Sequence, residues 1–263
     1  MNIEKSLEVA IKAAMSAGKI LNENYKETIQ TNTKESNRDV VTEIDKIAES
    51  NALDILKSFD SKISIISEEH GDIGGSTDLC WVVDALDGTV NYLHQVPFFC
   101  VSIALIQKNN PVIGVIYSPL FDEIYYGAEN IGVFKNQKKI NVHDKQPTDS
   151  LFTVSFSGKN YDPQRRNEEF IMFAEINDST RGCLRTGSAA LNLAYLAEGK
   201  FGGCWGKANK LWDISAGLVI AKLAGAHIFT QEVDVKKHLA NYIAAPQQNF
   251  EFLKNKATKI FIP

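Results

Sequence analysis

The run Trp81-Val82-Val83-Asp84-Ala85-Leu86-Asp87-Gly88-Thr89 ends an apolar, strand-forming stretch in two carboxylates, a glycine and a hydroxyl. Two aspartates three positions apart, across a turn at the end of a strand, can converge on one point, and the intervening carbonyl of Leu86 can face the same way. Such an all-oxygen set suits hard divalent cations. Gly88 and Thr89 then offer backbone N–H groups where glycine permits close approach, and turn amides of this kind form concavities that bind phosphate oxygens. A lone Asp-Gly pair is an ordinary turn signal. The second aspartate and the threonine, directly after the apolar run, turn the reading toward a metal site beside a phosphate cradle.

Other residues have two readings each. Glu68 and Glu69 sit in a polar loop after an apolar run, where acids are most often solvated. Asp45 follows Thr42 at capping-box spacing, and Asp213 stands before ISAGLVIAKLAGA, where aspartate commonly caps a helix. Ser188 fits both an N-cap and an anion-binding helix start. A serine nucleophile is poorly supported: no GxSxG elbow occurs, and Gly187-Ser188-Ala189-Ala190 has no obvious partnered base. His94, His143 and His227 are scattered, without an i, i+4 pair.

These residues need elements to hold them. Ile3, Leu7, Ala10, Ile11, Ala14, Gly18, Leu21 and Tyr25 recur at three- and four-residue intervals, the stripe of an amphipathic helix. A polar stretch from Thr31 to Asp39 follows, and a second helical pattern opens at Thr42 and Asp45 and runs through Ile44, Ile47, Ala48, Ile55 and Phe59. Strand-like runs come next, at 63–66, 79–84, 98–107, 112–117 and 123–128, with the Asn109-Asn110-Pro111 step as a hairpin turn. Their short connections predict an antiparallel sheet, since parallel neighbours need crossovers of roughly a dozen residues or more. After Ser150 the pattern alternates: a strand LFTVSF, a helix from Asn167 to Ile176, a helix opening at Ser188, a strand near Phe201, a helix from Asp213 to Ala224 and short closing strands. The expected class is α+β, with helices on an antiparallel sheet in residues 1–145 and a smaller α/β unit in residues 146–263 that supplies Asp213.

Composition limits the function classes. With 44% hydrophobic and 23% charged residues, the 263-residue chain can bury a core and lacks the polarity of a disordered protein. A net charge of −4 argues against a general nucleic-acid binder, whose affinity comes from basic surface. No apolar run approaches the ~20 residues of a membrane span. The opening MNIEKSLEVA carries Glu4 and Glu8, unlike an export signal, so a cytoplasmic protein is expected. Cys80, Cys100, Cys183 and Cys204 form no CxxC pair and read as reduced thiols.

The stretch WVVDALDGTVNYLHQVPFFCVSIAL resembles the signature of the inositol monophosphatase family, and LWDISAG resembles its second, C-terminal signature. DVVTEID (39–45), SEEHG (67–71) and GSAALNLAYLAEG (187–199) follow the same family in the same order, over nearly the whole chain. The resemblance implies a layered αβαβα sandwich, dependence on two or three Mg²⁺ ions, inhibition by lithium, and a homodimer. Carried over by position, it makes Glu68, Asp84, the Leu86 carbonyl, Asp87 and Asp213 the metal ligands. Asp45 and Thr89 match the pair that orients the attacking water, Gly88 and Thr89 the phosphate cradle, and Gly187, Ser188 and Ala189 a segment lining the sugar-alcohol site. The implied reaction is hydrolysis of a small phosphate monoester by metal-activated water, without a phosphoenzyme.

Four converging carboxylates would repel one another and raise one another's pKa values without a cation, so the cluster itself predicts bound metal. The substrate is less determined. Where inositol-specific members carry a glutamate, the count here gives Gly206. Lys207 and Lys210 fit either solvated surface lysines or contacts to a second anionic group, as in relatives acting on fructose 1,6-bisphosphate, histidinol phosphate or 3'-phosphoadenosine 5'-phosphate. A reading from another class is a regulatory protein that binds transcription machinery, as some bacterial members do; the acidic balance and the absence of a basic arm count against it. Because catalysis here rests on charge placement, Asp87→Asn should abolish turnover more completely than Thr89→Ala. Equal residual kcat in the two variants would sink these role assignments.

Overall fold

Asn2 starts the first helix by accepting the Lys5 N–H on its side chain, and the predicted stripe follows as α1 (Ile3–Glu23). The computed structural model describes residues 2–26, 31–33, 40–108, 110–158 and 166–261. After α1 come β1 (Thr31–Thr33), β2 (Val40–Thr42), α2 (Glu43–Phe59), β3 (Ser64–Ser67), β4 (Gly71–Ile73), β5 (Leu79–Asp87), α3 (Thr89–Leu93), β6 (Cys100–Gln107), β7 (Asn110–Ser118), β8 (Glu123–Ala128), β9 (Gly132–Lys135) and β10 (Lys138–Lys139). A 3-10 turn at Pro147–Asp149 leads to β11 (Phe152–Ser155), α4 (Arg166–Ser179), β12 (Cys183–Leu184), α5 (Ala189–Ala197), β13 (Gly203–Lys210), α6 (Leu211–Leu223), β14 (His227–Asp234), β15 (Leu239–Ala245) and α7 (Gln247–Phe261).

β1 and β2 pair as a small antiparallel ribbon, and two larger sheets organise the remaining strands. One has eight strands in the order β10-β9-β8-β7-β6-β5-β3-β4, the other five in the order β12-β11-β13-β15-β14. Alternation along each strand sends side chains to two different cores. From β5, Trp81 and Val83 pack with Ala14, Leu21, Ala52 and Leu56 of α1 and α2, while Val82 between them packs with Ala190, Leu191, Ala216 and Ile220 of α5 and α6. The other side of α5 and α6 meets the five-stranded sheet through Leu193, Ile214, Cys204, Tyr242 and Ala244. Beyond that sheet, Val154, Trp205 and Ile243 pack against α4 and α7. The layers are therefore helix, sheet, helix, sheet, helix: the αβαβα sandwich.

The structure departs from the sequence expectations in several places. β3 and β5 pair parallel, with Ile65 opposite Trp81. The short link suffices because β4 folds back along the outer edge of β3, so the chain reverses before entering β5. The chain closes on α7 rather than on strands; its buried stripe, Asn249, Leu253 and Ala257, includes a polar residue that weakens the helical signal. Asn109 of the hairpin turn and residues 34–39 of the polar stretch lie outside the described residues, as does the Thr42 side chain of the expected capping box. No helix among the described residues is long and apolar enough to cross a membrane.

Contact between the layers is close at glycines. A Cβ added to Gly114 of β7 would overlap the Ala216 carbonyl oxygen of α6 and lie 3.1 Å from Val219 Cβ. Gly114→Ala should therefore push α6 off the sheet and destabilise the fold by roughly 1–3 kcal/mol, the usual range for overpacking. Urea denaturation measures this; an unchanged midpoint would mean the interface yields freely.

Candidate metal centre

A bulge sets the direction of the two aspartates of β5. Opposite β6, Asp84 pairs with Ser102 but Asp87 pairs with Cys100, so three steps on β5 are matched by two on β6. In a regular strand, residues three apart point to opposite faces. The extra residue restores a common face and bends the strand end, as bulges beside active sites do. Asp84 Oδ1 accepts the Leu86 N–H at 2.8 Å, and the Thr89 hydroxyl donates to the Leu86 carbonyl at 3.1 Å. Gly88 closes the turn at φ +103°, where an added Cβ would press on Phe98 O at 3.0 Å.

Two further carboxylates arrive from distant parts of the chain. Glu68 is the first residue of the loop joining β3 to β4, and Asp213 lies in the first turn of α6. Carboxylate oxygens of Glu68, Asp84 and Asp213 all lie within 4.8 Å of one another. The N-cap of α6 is Lys210, so Asp213 does not cap the helix from outside; it sits within it. The start of α6 is tied to β6 by the Ser102 hydroxyl, which donates to Trp212 O at 2.9 Å. It is tied to the β14–β15 turn by the Leu211 N–H, which donates to His238 O at 2.9 Å. His238 Nε2 in turn meets Asp72 Oδ1 of β4 at 3.0 Å, joining the Glu68 hairpin to the Asp213 side.

Asp87 stands beside this group, and its Oδ2 is committed to α5. Ser188 Oγ donates to it at 2.6 Å and the Ala190 N–H at 2.7 Å, while Ser188 also accepts the Leu191 N–H as the N-cap. The anion at the positive end of α5 is thus the Asp87 carboxylate itself. Ser188 is buried, and with Ala189 it positions a carboxylate rather than opening onto the cleft. Gly187 does line the cleft, at φ +97° with Asn91 against its open side. The Asn91 side chain donates to Phe98 O at 2.7 Å and Thr186 O at 2.9 Å, pinning that wall.

The cleft has a volume of about 320 Å³. Glu68, Asp84, Leu86, Asp87 and Asp213 line one side, with Gly88, Thr89, Val90 and Asn91 of the α3 turn beside them. Asp45 is buried in the first turn of α2 and is not among the lining residues; its charge falls on Tyr92, whose phenol is raised first by burial and then by Asp45. Arg185 lines the cleft as well, and with Val90 and Asn91 it is a lining residue that sequence reasoning missed. Lys207 is buried, contrary to a solvated surface position, as are its neighbours in β13, the central strand of the five-stranded sheet. Lys210 is half-buried, its Nζ 5.0 Å from the Trp212 ring. At Gly206 an added Cβ would overlap Asn209 Oδ1 and lie 2.6 Å from the Tyr242 ring and 2.9 Å from Ser155 O, so a side chain there would have to displace these neighbours.

The chain matches the model of the inositol monophosphatase family over residues 2–259. The chain belongs to that family. Among its relatives, a protein named fructose-1,6-bisphosphatase/inositol-1-monophosphatase from Aquifex aeolicus is 34% identical over 230 residues, 85% of each chain. One named Nus factor SuhB from Haemophilus influenzae is 32% identical over 255 residues, 95% of this chain and 94% of the relative. Among solved structures, the inositol monophosphatase from Anabaena superposes with a TM-score of 0.84 at 31% identity, covering 98% of this chain and 97% of that one. The extragenic suppressor protein suhB from Bartonella henselae gives 0.87 at 30% identity, covering 97% and 98%. The family is one of phosphoric monoester hydrolases, and its fold is the layered sandwich described above.

The electrostatics fit a hard cation. Burial, then the charges of Glu68, Asp87 and Asp213, pushes Asp84 well above the usual carboxylate range. Burial, then Asp87 and Glu68, does the same to Asp213 against the opposing charge of Lys210. Burial raises Asp87 to about 6 despite the Ser188, Ala190 and Ala189 donors. Oxygen-only, anionic donors of this kind suit magnesium, calcium or manganese. A carboxyl whose folded value exceeds its unfolded value carries no penalty at low pH and destabilises the fold as pH rises through the folded value. Chelator-treated protein should therefore lose Tm as pH rises through about 6, and Mg²⁺ should restore most at the alkaline end. A Mg²⁺-induced rise in Tm of equal size at all pH values would contradict this.

Proposed function

We propose that the chain hydrolyses small phosphate monoesters in this cleft, with magnesium held by Glu68, Asp84, the Leu86 carbonyl, Asp87 and Asp213. The observation that carries the reading is the convergence of Glu68, Asp84 and Asp213 to within 4.8 Å from three distant parts of the sequence. Bound there, the ions would supply positive charge that polarises a phosphate ester and acidifies an attacking water.

The chain's own residues do the positioning. Gly88 and Thr89 bring turn amides to the cleft for the phosphate oxygens. The Thr89 hydroxyl, fixed by its bond to Leu86 O, orients the water; Asp45, buried in the first turn of α2 and outside the cleft lining, keeps its water-orienting role only by its match to the family position. Ser188 and Ala190 fix the rotamer of Asp87, so that its charge is in place before substrate arrives. In this reading the chain acts in the cytoplasm as a homodimer.

For the substrate, we favour a sugar phosphate with a second anionic group. Gly206 stands where inositol-specific members carry a glutamate, and Arg185 lines the cleft. The Aquifex relative is named for both esters, as a fructose-1,6-bisphosphatase/inositol-1-monophosphatase, so both belong on the panel. A charged hydrogen bond contributes roughly 1.5–3 kcal/mol, so fructose 1,6-bisphosphate should exceed inositol 1-phosphate in kcat/KM by about tenfold or more. A Mg²⁺-supplemented panel that also holds histidinol phosphate and 3'-phosphoadenosine 5'-phosphate measures this, and Arg185→Ala should remove most of the preference. Preference for inositol 1-phosphate would overturn the substrate assignment. Inactivity on every ester, together with recovery of transcription machinery from lysate, would replace the enzyme reading with the regulatory one suggested by relatives named Nus factor SuhB.

A further inference from the structure

Glu49 takes no part in the reaction as described, yet its carboxylate is fully buried one helical turn after Asp45 on α2. Both of its oxygens meet the hairpin that carries Glu68. Oε2 accepts the Glu69 N–H at 3.1 Å and Oε1 accepts the His70 N–H at 3.0 Å. The His70 ring is held between Glu49 and Ser50, with Nδ1 2.7 Å from Glu49 Oε1 and Nε2 3.3 Å from Ser50 Oγ.

The loop needs such an anchor. Ser67 and Gly71 pair across β3 and β4, leaving Glu68, Glu69 and His70 as a three-residue connection closed by Gly71 at φ +69°. The middle amides of so short a loop have no strand partner, and part-buried donors without acceptors are costly. Glu49 satisfies two of them at once, immediately after the ligand residue.

We infer that Glu49 is the positioning residue for Glu68, fixing its backbone so that its carboxylate meets Asp84 and Asp213 before any ion binds. This rests on the metal-centre reading proposed above. The same chemistry occurs once more in a place that serves as a control: Glu169 of α4 is also fully buried, accepts the Ser157 N–H at 2.9 Å and the Ser157 hydroxyl, and is absent from the cleft lining.

Glu49→Gln preserves shape but turns an amide nitrogen toward a backbone donor. Loss of a group that orients a metal ligand typically weakens metal affinity by about 10- to 100-fold. Isothermal titration of the full-length protein with MgCl₂ should show Glu49→Gln binding at least about tenfold more weakly than wild type, with Glu169→Gln unchanged in affinity even if its Tm falls. In phosphatase assays the Mg²⁺ activation constant should rise in Glu49→Gln while kcat at saturating Mg²⁺ is largely retained. Should Glu49→Gln not fold, His70→Ala carries the test, with a smaller loss in the same direction. Equal Mg²⁺ affinity in wild type and Glu49→Gln, or in wild type and His70→Ala where only that variant folds, would overturn the role of Glu49. No Mg²⁺ binding by wild type would instead sink the metal reading itself.

Discussion

Like charges held together in a half-buried cleft are the constraint on which this molecule is organised. Glu68, Asp84 and Asp213 converge to within 4.8 Å, with Asp87 adjoining, and burial drives the pKa values of the three aspartates upward. Such an arrangement persists only where the surroundings over-determine it. Here the bulge in β5 turns Asp84 and Asp87 to one side, the N-terminus of α5 absorbs part of the charge of Asp87, and the first turn of α6 with Lys210 favours Asp213. Repulsion among these groups is what a bound cation relieves, so stability and metal affinity draw on the same interactions.

The site was legible where one local segment carries it. Asp84, Leu86, Asp87 and Gly88 share a strand end, and their types and spacing point to hard-cation chemistry without further information. Glu68 and Asp213 were not legible in that way. Each looks like an ordinary loop or cap acid, and only the family resemblance connected them, because the contact between them is made by layer packing rather than by sequence neighbourhood. The fold class was readable from the change of rhythm near Ser150. The parallel β3–β5 pair was not, since it depends on the excursion of β4 along the sheet edge. Arg185 was missed because a single arginine in a connection has no periodicity, and Glu49 because a helix acid resembles a solvated one until the opposing loop is placed. Lys207 left two readings open, a solvated lysine or a contact to a second anion, because the central place of β13 that buries it leaves no pattern in composition.

Two helix starts, at α5 and α6, show how one physical device is put to different uses. In α5 the free N–H groups and the Ser188 hydroxyl serve a side chain of the protein, Asp87, rather than an incoming anion. In α6 the anion belongs to the helix itself, as Asp213. The anion-binding capacity of both is therefore largely spent inside the protein, on Asp87 and Asp213.

The middle layer has a consequence for how such a gene can be divided. α5 and α6 are encoded in the second half of the chain, yet their apolar sides cover Val82, Ala104, Ile116 and Tyr125 of the sheet encoded in the first. A fragment ending near the 3-10 turn would leave that sheet with a bare greasy face and would aggregate before it could bind anything. Recombination that swaps one half for a distant relative's must match this interface as closely as it matches the acids, so the two halves are expected to be inherited together.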